Sequence, residues 1–136
     1  MTRGFILCSA AVAMAFGAGV MMPKVEAQTR VAAKNILQSD MKGGLAEETL
    51  MQVVEFPANA TLPWHMHPDG HEIAYVLEGS AILEIEGQDS RTVKAGEGFH
   101  VNPNIVHRGR TEATPAKLLV VRVKPKDKPI MVPVQR

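Results

Sequence analysis

Cysteine is nearly absent from this chain of 136 residues, since Cys8 is its single thiol. Cys8 lies within an N-terminal segment, residues 1–27, whose composition predicts a cleaved signal peptide. A mature chain without cysteine excludes a disulfide framework, a thiolate nucleophile and a zinc site with cysteine ligands. Burial of apolar side chains must therefore hold the fold together without covalent help.

The layout of the N-terminal segment is that of a secretory leader. Arg3 gives a short basic start, residues 4–22 carry no charge, and Ala27 supplies a small residue before a cleavage site. The alternative is an uncleaved anchor, because 19 uncharged residues can just span a bilayer, although many Ala and Gly make them weakly apolar. We predict export to the periplasm or medium, and a mature chain of residues 28–136 with no membrane attachment.

Aromatic residues and net charge are both low, at 4% of the chain and a formal +1. The core must therefore be built from Val, Ile, Leu, Met and Ala. No basic cluster interleaves with aromatic residues, so the sequence predicts no nucleic-acid partner. The length predicts a single domain over residues 28–136.

Short runs rich in Val, Ile and Leu, separated by Gly, Pro and Asn, dominate the mature sequence. The runs are residues 49–56, 62–67, 72–77, 80–86, 91–94, 99–101, 106–110 and 117–123. This pattern predicts an all-β fold, a small antiparallel barrel or sandwich with its core at about residues 49–123.

The flanks of this predicted core are less well defined. Residues 31–39 are compatible with one helical turn or with an edge strand. Residues 124–136 form a C-terminal tail, and residues 124–133 contain three prolines, which excludes a central strand. We predict that the tail runs extended along the surface.

All five histidines lie between residues 65 and 107. His65 and His67 are two apart in an extended segment, so their side chains point to the same side. Glu72 opens the next strand and can return to the same face, and His107 joins by folding. Three neutral imidazoles and one carboxylate suit one divalent first-row transition metal, such as Mn, Fe, Ni, Cu or Zn.

Residues 65–79 fit the pattern His-x-His-x4-Glu-x6-Gly, with His65, His67, Glu72 and Gly79 in place. This segment resembles the first motif of the cupin family, and Gly96 and His107 resemble the second. The resemblance covers about residues 49–123. It implies a jelly-roll-like barrel whose metal ligands are His65, His67, Glu72 and His107.

Several positions depart from the family pattern. Asn59 and Asn104 replace glycines, Asn102 replaces a proline, and Thr111 replaces the closing asparagine of the second motif. Asn tolerates a left-handed backbone better than other non-glycine residues, so we predict that Asn59 and Asn104 preserve their turns.

Other residues near the motif have two interpretations each. His71 is either an alternative ligand to Glu72 or a hydrogen-bond partner of it, and His100 is either a pocket acid/base or a surface residue. Trp64 is either a roof over the pocket or a core residue. Arg108 either holds an anionic substrate or lies on a solvated strand edge.

Two functions are consistent with such a site, because the fold alone does not settle the chemistry. One is a metal-dependent oxidoreductase of the dioxygenase type that acts on a small organic molecule. The other is a non-catalytic module of the cell envelope that binds a small molecule or a metal ion. Family resemblance and the cost of exposed strand edges also predict a homodimer.

Overall fold

The computed structural model describes residues 30–41 and 47–136, and these ranges form nine β-strands without a helix. The strands are β1 (Ala32–Asp40), β2 (Glu47–Phe56), β3 (His65–Met66), β4 (His71–Ile85), β5 (Arg91–Lys94), β6 (Gly98–Val101), β7 (His107–Arg110), β8 (Ala116–Pro125) and β9 (Val132–Pro133). Their order is β1-β2-β8-β4-β7-β3-β9, with β5 and β6 each paired to β4. The predicted all-β antiparallel architecture is confirmed. Within these ranges no helix is long and apolar enough to cross a membrane.

Strand β4 runs through both halves of the fold. Its first half pairs with β6 and β8, and its second half pairs with β5 and β7. The sequence predicted two strands, residues 72–77 and 80–86, separated by a stop at Gly79, and that prediction is wrong. Gly79 has a φ of 72° and follows a register shift between Val76 and Glu78. The backbone therefore bends at this point without ending the strand.

Both flanks of the barrel core are ordered by pairing. The segment predicted as a helical turn or an edge strand is the edge strand β1, which pairs along β2. Of the C-terminal tail, residues 124 and 125 end β8, the next residues form a turn, and Val132–Pro133 form β9, which pairs with β3. The predicted signal peptide, residues 1–27, lies outside the described residues.

The interior is aliphatic because alternate residues of each strand face inward. Strand β8 shows the alternation along its full length, with buried and half-buried residues in strict succession. The core cluster comprises Val54, Phe56, Ala60, Ala74, Val76, Ala81, Leu83, Val93, Val101, Ala116, Leu118 and Val120. The inward face of β8 then continues with two buried cations, Arg122 and Lys124.

Two asparagines form turns with a left-handed backbone. Asn59 has a φ of 58° and Asn104 a φ of 64°, so the prediction for both residues is confirmed. Asn104 also accepts a hydrogen bond from the Asp69 amide at 3.0 Å and donates one to the Asp69 carboxylate at 3.1 Å. These bonds join the loop before His107 to the loop after His67.

Candidate metal centre

Four of the predicted site residues meet inside the barrel. His65 lies on β3 directly opposite His107 on β7, His67 follows β3, and Glu72 lies on β4. The three imidazole residues are each 2% exposed, and Glu72 is 6% exposed. Chain segments far apart in sequence therefore deliver four polar side chains to one water-poor point.

The three imidazoles are close enough to share one ion. The ring centroids of His65 and His107 are 4.4 Å apart, and each lies 5.1 Å from that of His67. One ring nitrogen from each residue lies within 4.8 Å of the others. Nitrogens at this separation can coordinate a common metal ion.

Each imidazole has its Nδ1 held by a backbone carbonyl. Nδ1 of His65 lies 2.8 Å from the oxygen of Pro63, and Nδ1 of His107 lies 2.9 Å from that of Ile105. Nδ1 of His67 lies 2.6 Å from the oxygen of Ile130. A carbonyl only accepts, so Nδ1 carries the proton in each neutral ring and Nε2 presents a lone pair. This is how metal-binding histidines are usually oriented.

Glu72 adds a carboxylate to the same point. Its Oε2 lies 2.9 Å from Nε2 of His67, and its Oε1 lies 3.6 Å from Nε2 of His107. Burial alone raises the pKa of this carboxyl, whereas the positive charge of Arg122, whose guanidinium donates to Oε2, lowers it, and the pKa lies well below its usual range. Glu72 is therefore an anion at neutral pH.

The donor set fits a divalent cation. Burial lowers the pKa of His65 to about 4, so this ring is neutral at pH 7. Nε2 of His67 and Nε2 of His107 are buried without a hydrogen-bond partner. Lone pairs and a carboxylate that face one another without a proton donor between them are costly in a dry interior, and a bound metal ion removes that cost.

A cavity lies beside this cluster. His65, Glu72 and His107 line it, together with apolar walls that include Phe56, Leu83, Val93, Leu118 and Val120. Water molecules can occupy a volume of about 40 Å³ within it. That space accommodates a ligand of a few heavy atoms, because one water needs about 10–15 Å³ on the same measure.

Arg122 is a site residue that the sequence reasoning missed. Its Nη2 donates to Oε2 of Glu72, its Nη1 donates to the side chain of Gln52, and Arg122 itself lines the cavity. Gln52 donates in turn to Asn35 of β1 at 2.7 Å. The sequence signal was a charged residue among the alternating apolar residues of the run at 117–123, but its partner could not be inferred locally.

His71 and His100 contact each other rather than the metal centre. His71 Nδ1 lies 2.9 Å from His100 Nε2, the rings stack with an interplanar angle of 24°, and both residues are exposed. Alternation along β4 turns Glu72 inward and His71 outward. Neither exposed histidine lines the cavity described above.

Trp64 and Arg108 pack together outside the cavity. The Arg108 guanidinium lies 4.7 Å from the centre of the half-buried Trp64 ring, and Arg136 lies 4.4 Å from it. Arg108 also pairs with Glu84. Trp64 is thus held between two cations beside β3 and does not roof the cavity.

Fold and site together define a small antiparallel β-barrel with a buried, histidine-rich centre suited to a metal ion. The cupin domain family matches residues 52–122, and this chain belongs to that family. Over 94 residues it is 33% identical to germin-like protein 3-3 of Oryza sativa subsp. japonica. The match covers 59% of this chain and 41% of the rice protein. The chain spans half or less of the length of the curated relatives that it matches.

Solved structures share the fold. The DMSP lyase DddQ of Ruegeria pomeroyi DSS-3 is similar with a TM-score of 0.62 and 25% identity, over 77% of this chain and 52% of that one. Oxalate oxidase in complex with the substrate analogue glycolate is similar with a TM-score of 0.60 and 25% identity, over 80% of this chain and 57% of the oxidase.

Proposed function

We propose that this cupin binds one divalent transition metal through His65, His67, Glu72 and His107 and uses it in a dioxygenase-type oxidation of a small organic molecule. The observation that carries the proposal is that Nε2 of His67 and Nε2 of His107 are buried without a hydrogen-bond partner, in a cluster with His65. When bound, the metal supplies open coordination positions at which a substrate and O₂ can be activated.

The chain's own residues prepare the site in two ways. Hydrogen bonds from Nδ1 to backbone carbonyls fix the three imidazoles, and Arg122 orients the Glu72 carboxylate. The apolar walls exclude bulk water from the reacting molecule. The small cavity volume favours a substrate of few atoms.

Support for oxidation comes from similarity. Oxalate oxidase and a germin-like protein are among the proteins that match, and the oxidase structure contains glycolate. Small carboxylates are therefore the first compounds to test, because their size suits the cavity.

A specific observation favours the second candidate, a non-catalytic binding module. Among the described residues that line the cavity, the titratable groups are three of the proposed ligands, His65, Glu72 and His107, and Arg122, whose guanidinium already contacts Glu72 and Gln52. No further acid or base within that lining stands ready to move a proton. Such a site can capture a metal or an anion without turning it over.

Metal analysis of untagged protein tests the first part of the proposal. We expect about one metal ion per chain in the wild type and none in the His65→Ala/His107→Ala variant, because two of the four ligands are lost. His100→Ala is the matched control, since this histidine is exposed on the outer face and should leave the metal content unchanged. Failure of the wild type to bind any divalent metal after reconstitution would refute the proposal.

An oxygen electrode distinguishes the two candidates. The loaded wild type is mixed with glycolate, oxalate and other small carboxylates, and O₂ uptake is compared with that of the double variant. Uptake that requires the ligands supports the oxidoreductase. Tight binding by calorimetry without uptake supports the binding module.

Export and assembly also remain proposals. For export, mass spectrometry of protein from the periplasm or medium should find a chain that begins at Gln28.

For assembly, Ile73, Tyr75 and Leu77 on the outer face of β4 are 41–50% exposed and can bury against a second copy. Sedimentation should find a dimer that Tyr75→Lys dissociates, and a monomeric wild type would contradict it.

A further inference from the structure

The segment after β8 returns across the metal centre. We call residues 128–134 the C-terminal strap. Within it β9 pairs with β3, so that Val132 lies opposite Met66, and Val134 donates its amide to the carbonyl of Trp64 at 2.8 Å. The carbonyl of Lys128 accepts a hydrogen bond from the buried Lys124 side chain at 2.6 Å. The strap is therefore fixed at both ends.

Between these two anchors the strap reaches a proposed metal ligand. The carbonyl of Ile130 accepts the Nδ1 proton of His67 at 2.6 Å. His65 and His107 each bond a carbonyl two residues earlier in their own chain segments, Pro63 and Ile105. His67 instead depends on a residue 63 positions away.

We infer that the C-terminal strap is a positioning element of the metal centre, acting through the Ile130 carbonyl on His67. This inference rests on the proposed metal site and adds a part of the chain that the histidine motif does not contain. With the carbonyl in place, His67 keeps its proton on Nδ1 and its lone pair on Nε2, directed towards the other ligands. Without the carbonyl, the ring is free to rotate and to exchange tautomers.

Of the three histidines, His67 alone bonds a carbonyl that is distant in sequence, so loss of the strap should affect the three rings unequally. Loss of the strap should free His67 while His65 and His107 keep their local carbonyl partners. Removal of such a partner of a metal-bound histidine typically weakens metal affinity about 10- to 100-fold. A general loss of stability would instead affect all three rings alike.

The experiment compares Co(II) binding by the full chain with that of three variants. Deletion of residues 129–136 removes the Ile130 carbonyl, and Val134→Pro removes the amide bond to Trp64 while the Ile130 carbonyl stays in the chain. Gln135→Pro is the matched control, because Gln135 is exposed and lies outside the strap. We expect the dissociation constant to rise about 10- to 100-fold on deletion and less with Val134→Pro, and to stay at the wild-type value with Gln135→Pro.

Proton NMR of the Co(II)-loaded protein measures the Nδ1–H resonance of each ligand histidine. If the strap only stabilised the fold, its loss would not select one of these resonances. The wild type should show three exchangeable, strongly shifted Nδ1–H resonances, one from each ligand histidine. The deletion variant should retain two of them. If that variant does not fold, Val134→Pro should show faster solvent exchange of one resonance, while Gln135→Pro leaves all three unchanged.

The outcomes of these experiments distinguish the role of the strap from the proposed metal site on which it rests. A folded deletion variant with wild-type affinity and three resonances would overturn the role of the strap and leave the metal site intact. If the deletion variant is unfolded, equal exchange of all three resonances in Val134→Pro would overturn it. A wild type that binds no Co(II) would overturn the metal site, and the strap's role with it.

Discussion

Replacing Arg122 by Met removes a buried positive charge while keeping an unbranched side chain in its place. Arg122 is 8% exposed and Glu72 is 6% exposed, so the pair is almost fully withdrawn from water. Removal of one partner of a buried ion pair typically costs about 3–5 kcal/mol. An unpaired buried carboxyl can take up a proton instead of staying charged, which favours the lower end of this range. We expect the metal-free variant to lose about 3 kcal/mol of unfolding free energy, or about 12 °C in Tm for a domain of this size.

Metal should reverse most of this loss. A divalent ion bound by Glu72 replaces the guanidinium as the countercharge, so the remaining penalty in Zn(II)-saturated protein is about 1 kcal/mol for the hydrogen bond to Gln52. Urea unfolding with EDTA and with Zn(II) measures both values. Arg110→Met is the control, because Arg110 pairs with Glu84 and Glu112 nearer the surface and should cost less than about 1 kcal/mol. A metal-free Arg122→Met protein as stable as the wild type would refute the reasoning.

Three further predictions concern the barrel and its pH response. Thr111→Val should lower the unfolding free energy, measured with urea, by about 1–3 kcal/mol, because the buried hydroxyl donates to the carbonyl of Pro57 and accepts from the amide of Ala60. An unchanged unfolding free energy would contradict this prediction. Gly79→Ala should lower Tm far more than Gly87→Ala, although both have positive φ, since a Cβ at Gly79 would lie 1.9 Å from the Pro115 oxygen whereas Gly87 faces open space. Equal Tm values for the two would rule out the clash. Burial lowers the pKa of His65 from 6.5 to about 4, so between these values the unfolded chain binds a proton that the folded chain does not. The unfolding free energy of metal-free protein should therefore fall by about 3 kcal/mol from pH 6.5 to pH 4, and a His65→Gln variant with the same fall would refute this assignment.

Local pattern was enough to predict most of the strands. The run at residues 91–94 coincides with β5, and that at residues 49–56 lies within β2. The stop placed at Gly79 was wrong because glycine with positive φ can either end a strand or bend it, and the difference depends on which strands lie alongside. Those neighbours are far away in sequence.

The sequence motif identified the residues of the site, but the contacts that support them could not be predicted from the sequence. Spacing alone placed His65 and His67 on one side of an extended segment, and the structure gathers them with His107 and Glu72. Arg122 was missed because its partners, Glu72 and Gln52, lie 50 and 70 residues away. Only the folded barrel brings such groups into contact.

The pairing of β8 with β2 and β4 has a consequence for the speed of folding. Phe56 pairs with Ala116, and Val76 with Leu118, so the central ladders join residues separated by most of the barrel sequence. Chains dominated by such distant pairings fold in about milliseconds to seconds, because each loop must close before its contacts stabilise it. His65 and His107 likewise pair from distant segments, so their meeting depends on the same kind of loop closure. The three imidazoles belong to two distant segments of the chain, so we expect a metal ion at the proposed site to require the closed barrel.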